Sequence, residues 1–426
     1  MTRPMKDSGI EWIGEIPEDW TIGRIGSIYT ERRQKVSDVD YPPLSVTMKG
    51  ILPQLSTAAK TDAHDDRKLV LKGDFAINSR SDRRGSCGIS PYDGSVSLIN
   101  TILAPREQMH PVYYNWLFHS TMFSDEFYKW GHGIVDDLWT TNWQDMKKIS
   151  VPMPSYDEQA CIADFLDEKC AEIDGAIEKT RASIEEYKKL KQAVITQAVT
   201  KGIRPNRPMK DSGIEWIGKI PAEWKLCRLR HIGSTQNGIS KGGEYFGQGY
   251  PFVSYGDVYR NYSLPYELKG LIQSTKEEQE LYSVKRGDIF FTRTSETIEE
   301  VGFSSVCERT IPKATFAGFL IRVRPYDDTL EPGFSKYYFR SNHHRFYLVK
   351  QMNLVTRASL GQPLLKGMPV LVPNKDEQIE ITSYLDKKCA DIDNLIMNKE
   401  TLISELEYYK KSLIFEYVTG KKEVPA

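Results

Sequence analysis

No run of about 18 consecutive apolar residues occurs in this 426-residue chain, so no segment is written to span a bilayer. The opening MTRPMKDSG lacks the apolar stretch of a secretory leader. The compartment expected is the cytoplasm, with no membrane partner. Cysteine is sparse: Cys87, Cys161, Cys170, Cys227, Cys307 and Cys389 are scattered, with no CxxC pair and no neighbouring histidine pair at zinc spacing. They read as reduced, mostly buried thiols, and no metal site is expected. No GxxxxGK(S/T) phosphate cradle is present, which argues against an ATP-driven motor. An excess of one charge is missing too. The formal net charge is -1, so any basic surface must be local. Residues 225–370 carry about six more Lys and Arg than Asp and Glu, while 21–150 is nearly balanced.

What is present is written twice. The length fits two or more domains with cores of their own, and 40% apolar with 27% charged residues is a globular composition. KDSGIEWIGEIPEDW at 6–20 returns as KDSGIEWIGKIPAEW at 210–224. DEQACIADFLDEKCAEID at 157–174 returns as DEQIEITSYLDKKCADID at 376–393, each three residues after a proline, Pro154 and Pro373. The chain is two copies of one plan: a mixed region at 1–154, a helical segment at 155–203, a second mixed region at 204–373 and a second helical segment at 374–426.

In the first helical segment Leu166, Cys170, Ile173, Ile177, Thr180, Ile184, Tyr187, Lys191, Val194 and Ala198 follow at steps alternating four and three. Leu385, Cys389, Ile392, Ile396, Lys399, Ile403, Leu406, Lys410, Leu413 and Tyr417 do the same in the second. That alternation keeps ten residues on one seam and predicts a long coiled-coil helix in each segment. At 1.5 Å per residue, each is about 65 Å long. The seams place polar residues at matching depths, Thr180 with Lys399 and Lys191 with Lys410; such residues cost stability and specify partner and register.

The regions between read as α/β. KLVLKGDFAINSRS and LYSVKRGDIFFTRTS each give an apolar run, a Gly-Asp turn (Gly73-Asp74, Gly287-Asp288), a second apolar run and an Arg-containing polar loop. The fold expected is mixed α/β (α+β), with two globular regions separated by two long antiparallel coiled-coil helices and related by a pseudo-twofold internal repeat.

The doubled DSGIEWIGxIPxxW and the P..DEQ entry into FLDEKCAEID or YLDKKCADID resemble the specificity subunit of type I restriction-modification systems, and the resemblance covers essentially the whole chain. It implies that each mixed region is a target recognition domain reading one half of a split site on double-stranded DNA. It also implies that the helices separate the two readers and carry methyltransferase subunits, two of them, with restriction subunits joining through the complex. One copy of the plan per half-site then accounts for the repetition.

Arginine forks onto guanine edges, Asn and Gln suit adenine, and Ser or Thr serve bases or phosphates. By that chemistry the candidate DNA contacts are Asn78, Arg80, Ser81, Arg83 and Arg84 in the first region's loop, with Arg293, Thr294 and Ser295 as counterparts. A later pair of loops offers Trp139, Thr140 and Asn142, and Thr356, Arg357 and Ser359. Ser254 and Tyr255 lie in VSYGDV. The opening tryptophans, Trp12 and Trp20 with Trp216 and Trp224, either plug the base of each domain against its helix or dock the methyltransferase. The seam residues Leu166, Ile173, Ile177 and Ile184, with Leu385, Ile392, Ile396 and Ile403, are the interdomain candidates. DYPP at 40–43 scrambles the (N/D)PP(Y/F) tetrad of DNA amino-methyltransferases, and YFGQGY is not an FxGxG cofactor loop. The chain therefore reads as non-catalytic, with S-adenosylmethionine and ATP left to partners. The competing expectation is a duplicated coiled-coil scaffold that binds no DNA.

Overall fold

The computed structural model describes residues 3–54, 64–80, 84–107, 109–134, 139–295, 301–351 and 358–425. The chain forms two compact units, one of Met1–Arg181 with Glu400–Ala426 and one of Ala182–Lys399. Each long helix gives its N-terminal part to one unit and its C-terminal part to the other, and a largely apolar seam of this length must be buried on a neighbour.

The first unit holds a four-stranded antiparallel sheet in the order Cys87–Ile89, Phe75–Asn78, Asn100–Pro105, Tyr29–Glu31. The second unit builds the corresponding sheet in the corresponding order: Ser304–Val306, Ile289–Thr292, Leu320–Pro325, Gly233–Asn237. Each Gly-Asp turn does the same work in both. Gly73 and Gly287 sit at φ +91° and +90°, where a Cβ is strained. The buried Asp74 accepts from the Leu71 amide at 2.9 Å and from Arg32 Nε at 2.6 Å. Asp288 accepts from the Lys285 amide at 2.7 Å and from Arg324 Nη2 at 2.6 Å. A buried carboxylate is tolerable only when so paired. In each unit a further strand pair ties the end of the mixed region back to its start, Ser150–Met153 on Thr21–Arg24 and Pro369–Val372 on Lys225–Arg228.

The long helices are Tyr156–Lys201 and Lys375–Val418, 46 and 44 residues. Every seam residue named from the spacing is buried or half-buried, and most positions between them are exposed. In the first unit Phe165 packs on Tyr417 with centroids 4.5 Å apart, Lys410 Nζ meets Asp174 at 2.7 Å and Arg181 meets Glu407 at 3.1 Å. In the second, Lys399 Nζ lies 5.6 Å from the Tyr187 ring centre and Lys191 Nζ meets Asp393 at 2.7 Å. Partner numbers fall as helix numbers rise, so the pairing inside each unit is antiparallel. Lys191 and Lys410 fall at equivalent places, and each reaches the Asp of the repeated "ID". Ion pairs this exposed contribute at most about 1 kcal/mol; their effect is on register.

The doubled motifs explain one another. Trp20 Nε1 donates to Glu158 Oε2 at 2.8 Å and Trp224 Nε1 to Glu377 Oε2 at 2.9 Å. Arg3 and Arg207 pair with the same two carboxylates, and the Arg207 guanidinium is pushed above its ordinary range, chiefly by its bond to Glu377. The following glutamine binds backbone: Gln159 accepts from the His110 amide at 2.8 Å and donates to Pro154 O at 2.9 Å, while Gln378 accepts from the Glu331 amide at 2.8 Å and donates to Pro373 O at 3.0 Å. His110 and Glu331 are the N-cap residues of helices Pro111–His119 and Pro332–Tyr338. The opening segment also grips the end of a long helix. Lys421 Nζ donates to Ile13 O at 2.5 Å, and Lys201 Nζ to Ile217 O at 3.1 Å. Those helices stop at Gly420 and Gly202, at φ +72° and +75°, where an added Cβ would strike Trp20 or Trp224's neighbours Arg207 and Glu377.

Trp12, Trp20 and Trp224 are buried among core residues, and Trp216 is half-buried, 4.4 Å from the His343 ring. Among the described residues no helix is long and apolar enough to cross a membrane.

Candidate nucleic-acid interface

In each unit the two loops singled out by residue chemistry, about 60 residues apart in sequence, are joined by β-pairing. Arg80 bridges Thr140 in the first unit, and the Thr141 amide donates to Ser79 O at 3.0 Å. In the second, Thr294–Ser295 pairs antiparallel with Ala358–Ser359, and the Leu360 amide donates to Arg293 O at 2.7 Å. Leu360 is fully buried while Ser359 next to it is exposed, so the pairing anchors a polar rim on an apolar root.

The individual side chains divide by task. Asn78 is buried and its Oδ1 accepts from the Arg80 amide at 3.0 Å, shaping the loop. Asn142 caps helix Trp143–Met146, accepting from the Gln144 amide at 2.8 Å. Ser254 caps Tyr255–Arg260 in a reciprocal box with Asp257. These three hold backbone. Arg80 is exposed, and Arg293 and Thr294 are half-exposed. Ser81, Arg83, Thr356 and Arg357 lie outside the described residues, as does the side chain of Ser295.

Aromatic rings carry the remaining candidates. In the first unit Trp139 Nε1 donates to Tyr128 O at 2.9 Å, its ring lies 5.5 Å from the Tyr128 ring, and the Arg84 guanidinium lies over Tyr128 at 3.7 Å. These three line a small cavity whose wall includes Ile77, Phe118 and Phe123. In the second unit Tyr255 stacks on Tyr259 at 6.0 Å, Tyr259 meets Phe303 at 5.1 Å, and Arg345 lies over Phe303 at 4.3 Å. The roles are exchanged: a loop arginine on a helix ring in one unit, a helix arginine on a loop ring in the other. Arg345 also donates to Val301 O at 3.0 Å.

Residue chemistry overlooked Tyr128, on helix Thr121–Lys129, and Phe319, 66% exposed beside the Arg293 loop, whose carbonyl accepts from the Arg293 amide at 2.9 Å. Cys87 and His119 sit 3.7 Å apart behind the first sheet. Burial pushes the thiol well up and the imidazole down, which leaves both neutral and poorly suited to nucleophilic work. Among the described residues no group of three His, Cys, Asp or Glu side chains is placed to hold a metal ion.

Known proteins with this architecture point one way. Residues 221–408 match the family model of the type I restriction modification DNA specificity domain. The chain is 23% identical to the type I restriction enzyme MjaVIII specificity subunit of Methanocaldococcus jannaschii over 96% of this chain and 94% of that one. It is 20% identical to the EcoKI specificity subunit of Escherichia coli K12, covering 96% and 90%. A chain from a type I restriction-modification system, solved to explain complex assembly and conformational transition, superposes with a TM-score of 0.73 at 15% identity, covering 96% of this chain and 99% of that one. The HsdS subunit of Thermoanaerobacter tengcongensis gives 0.55 at 16% identity, covering 96% and 98%.

Proposed function

We propose that this chain, which belongs to the family of type I restriction-modification specificity subunits, is the non-catalytic subunit that gives such a complex its DNA sequence preference. It reads a bipartite, asymmetric site, one half through each unit. The observation that carries this is the joining, in both units, of two polar loops distant in sequence into one rim. A scaffold that bound no DNA would need the long helices and no such rims.

Recognition follows from the side chains available. Arginine, Thr and Ser on a rim can meet base edges in the major groove, while neighbouring basic groups meet phosphate. The rims differ in residues, so the half-sites differ in sequence. The two long helices set the gap between half-sites, and their exposed faces receive methyltransferase subunits, two per chain. Restriction subunits join through that assembly, and S-adenosylmethionine and ATP are bound by those partners. The work is done on cytoplasmic DNA.

Selection from a randomised duplex pool by the chain with its methyltransferase subunits tests this. Two short specified tracts flanking an unspecified gap are expected; absence of any enriched sequence overturns the proposal. Removing one heptad from each long helix shortens it by about 10 Å, and the gap is expected to contract by about three base pairs.

A further inference from the structure

The stacked arginine of the first unit differs from its counterpart in a way that bears on what it touches. Arg84 stands with its side chain 46% exposed, its guanidinium carbon over the Tyr128 ring, 3.7 Å from the ring centre. Tyr128 is backed in turn by Trp139, whose indole is tied to the Tyr128 carbonyl at 2.9 Å. A long flexible side chain is thereby held in one plane before any ligand arrives, which reduces the ordering cost of binding. A guanidinium lying on a ring turns its in-plane N–H groups outward, the geometry of a two-pronged donor. Asp125 takes one nitrogen at 3.4 Å, and that carboxylate lowers the local positive potential. A phosphate is attracted less to such a pair, whereas a neutral base edge loses little.

We propose that Arg84 reads a guanine in the half-site of the first unit, through its O6 and N7 edge, and that Tyr128 and Trp139 are the positioning residues that hold the fork. This rests on the first unit being a DNA reader. In the second unit the ring-bound Arg345 donates to Val301 O at 3.0 Å and so serves its own loop.

The test is duplex selection with the full chain and its methyltransferase subunits, comparing wild type with Arg84→Ala, Arg84→Lys, Tyr128→Phe and Tyr128→Leu. Thermal melting of each variant, matched to wild type, checks that the fold is kept. Arg84→Ala and Arg84→Lys are both expected to abolish preference for one guanine in one tract, a loss of roughly 5- to 150-fold against the other bases, with the other tract unchanged. Tyr128→Phe keeps the ring and the preference; Tyr128→Leu weakens it. Retained guanine preference in Arg84→Ala, or no guanine in the affected tract, overturns the assignment; so does uniform weakening over all sequences in Arg84→Ala, which marks a phosphate contact. Failure of the wild type to select any bipartite site sinks the reader itself, and this assignment with it.

Discussion

Laid side by side, the two units agree in their frame and disagree at their rims. Glu158 and Glu377, Gln159 and Gln378, Asp74 and Asp288, Lys410 and Lys191, Gly420 and Gly202 make equivalent contacts at equivalent places, although the arginine on each Asp comes from a non-equivalent position. Between these fixed points the rim residues, the stacked rings and the source of the arginine all change. Packing tolerates few solutions at a buried carboxylate or a left-handed glycine. A solvent-facing rim is constrained only by what it binds.

The frame is not equally strong in both. Glu377 is fully buried, while the side chain of Glu158 is 26% exposed. Glu377→Ala leaves Arg207 with Glu223 alone and strands the Trp224 N–H, and is expected to destabilise the second unit by roughly 3–5 kcal/mol. Glu158→Ala should cost about 1–3 kcal/mol. Calorimetry that resolves both transitions checks this, and equal losses would erase the difference.

Acid should separate the units next. Ser341 is followed three residues on by His344, where Ser120 is followed by Phe123, and both rings are buried. Burial lowers His343 to about 4 and His344 well below its ordinary value. The unfolded imidazoles take up protons near pH 6.5 and the folded ones resist, so the unfolded state binds more protons between pH 6.5 and 4. Stability of the second unit is therefore complete above about pH 6.5 and declines toward pH 4, by up to roughly 3 kcal/mol from His343 alone. In the first unit His119 is lowered in the same direction. Melting followed across that window should show the second transition dropping further; parallel movement would contradict it.

At the rims, Arg293→Ala is expected to relax preference in one tract by about 1–3 kcal/mol and leave the other intact. Loss in both tracts would mean the units do not read independently. Smallest is the seam. Lys191→Met and Lys410→Met should each alter stability by less than about 1 kcal/mol, and by similar amounts, since the two pairs are alike in length and exposure. A large difference between them, measured by denaturant unfolding, would break the equivalence of the two helix ends.

Much of this was legible before any coordinates. The four-three spacing of Leu166 to Ala198 and Leu385 to Tyr417 specified two helices, which run Tyr156–Lys201 and Lys375–Val418. The doubled motifs announced two equivalent units, and the Gly-Asp pairs marked tight turns. These are local signals: helix period and turn chemistry depend on neighbours a few residues away. Less local facts escaped. Asn78, Asn142 and Ser254 are residue types that suit a base edge, yet their side-chain oxygens accept from backbone amides instead. Tyr128 looks, in sequence, like the buried Tyr113 and Tyr114 of the preceding helix.

By itself, then, the sequence determined the number of units, the two long helices and the residues that recur in both. Only the tertiary structure decided that Glu158 and Glu377 are the pins of the opening tryptophans, that Arg80 meets Thr140 and Thr294 meets Ser359, and which rings support an arginine. Those pairings join residues tens to hundreds of positions apart. They are selected by how whole faces pack, and no short-range pattern encodes that.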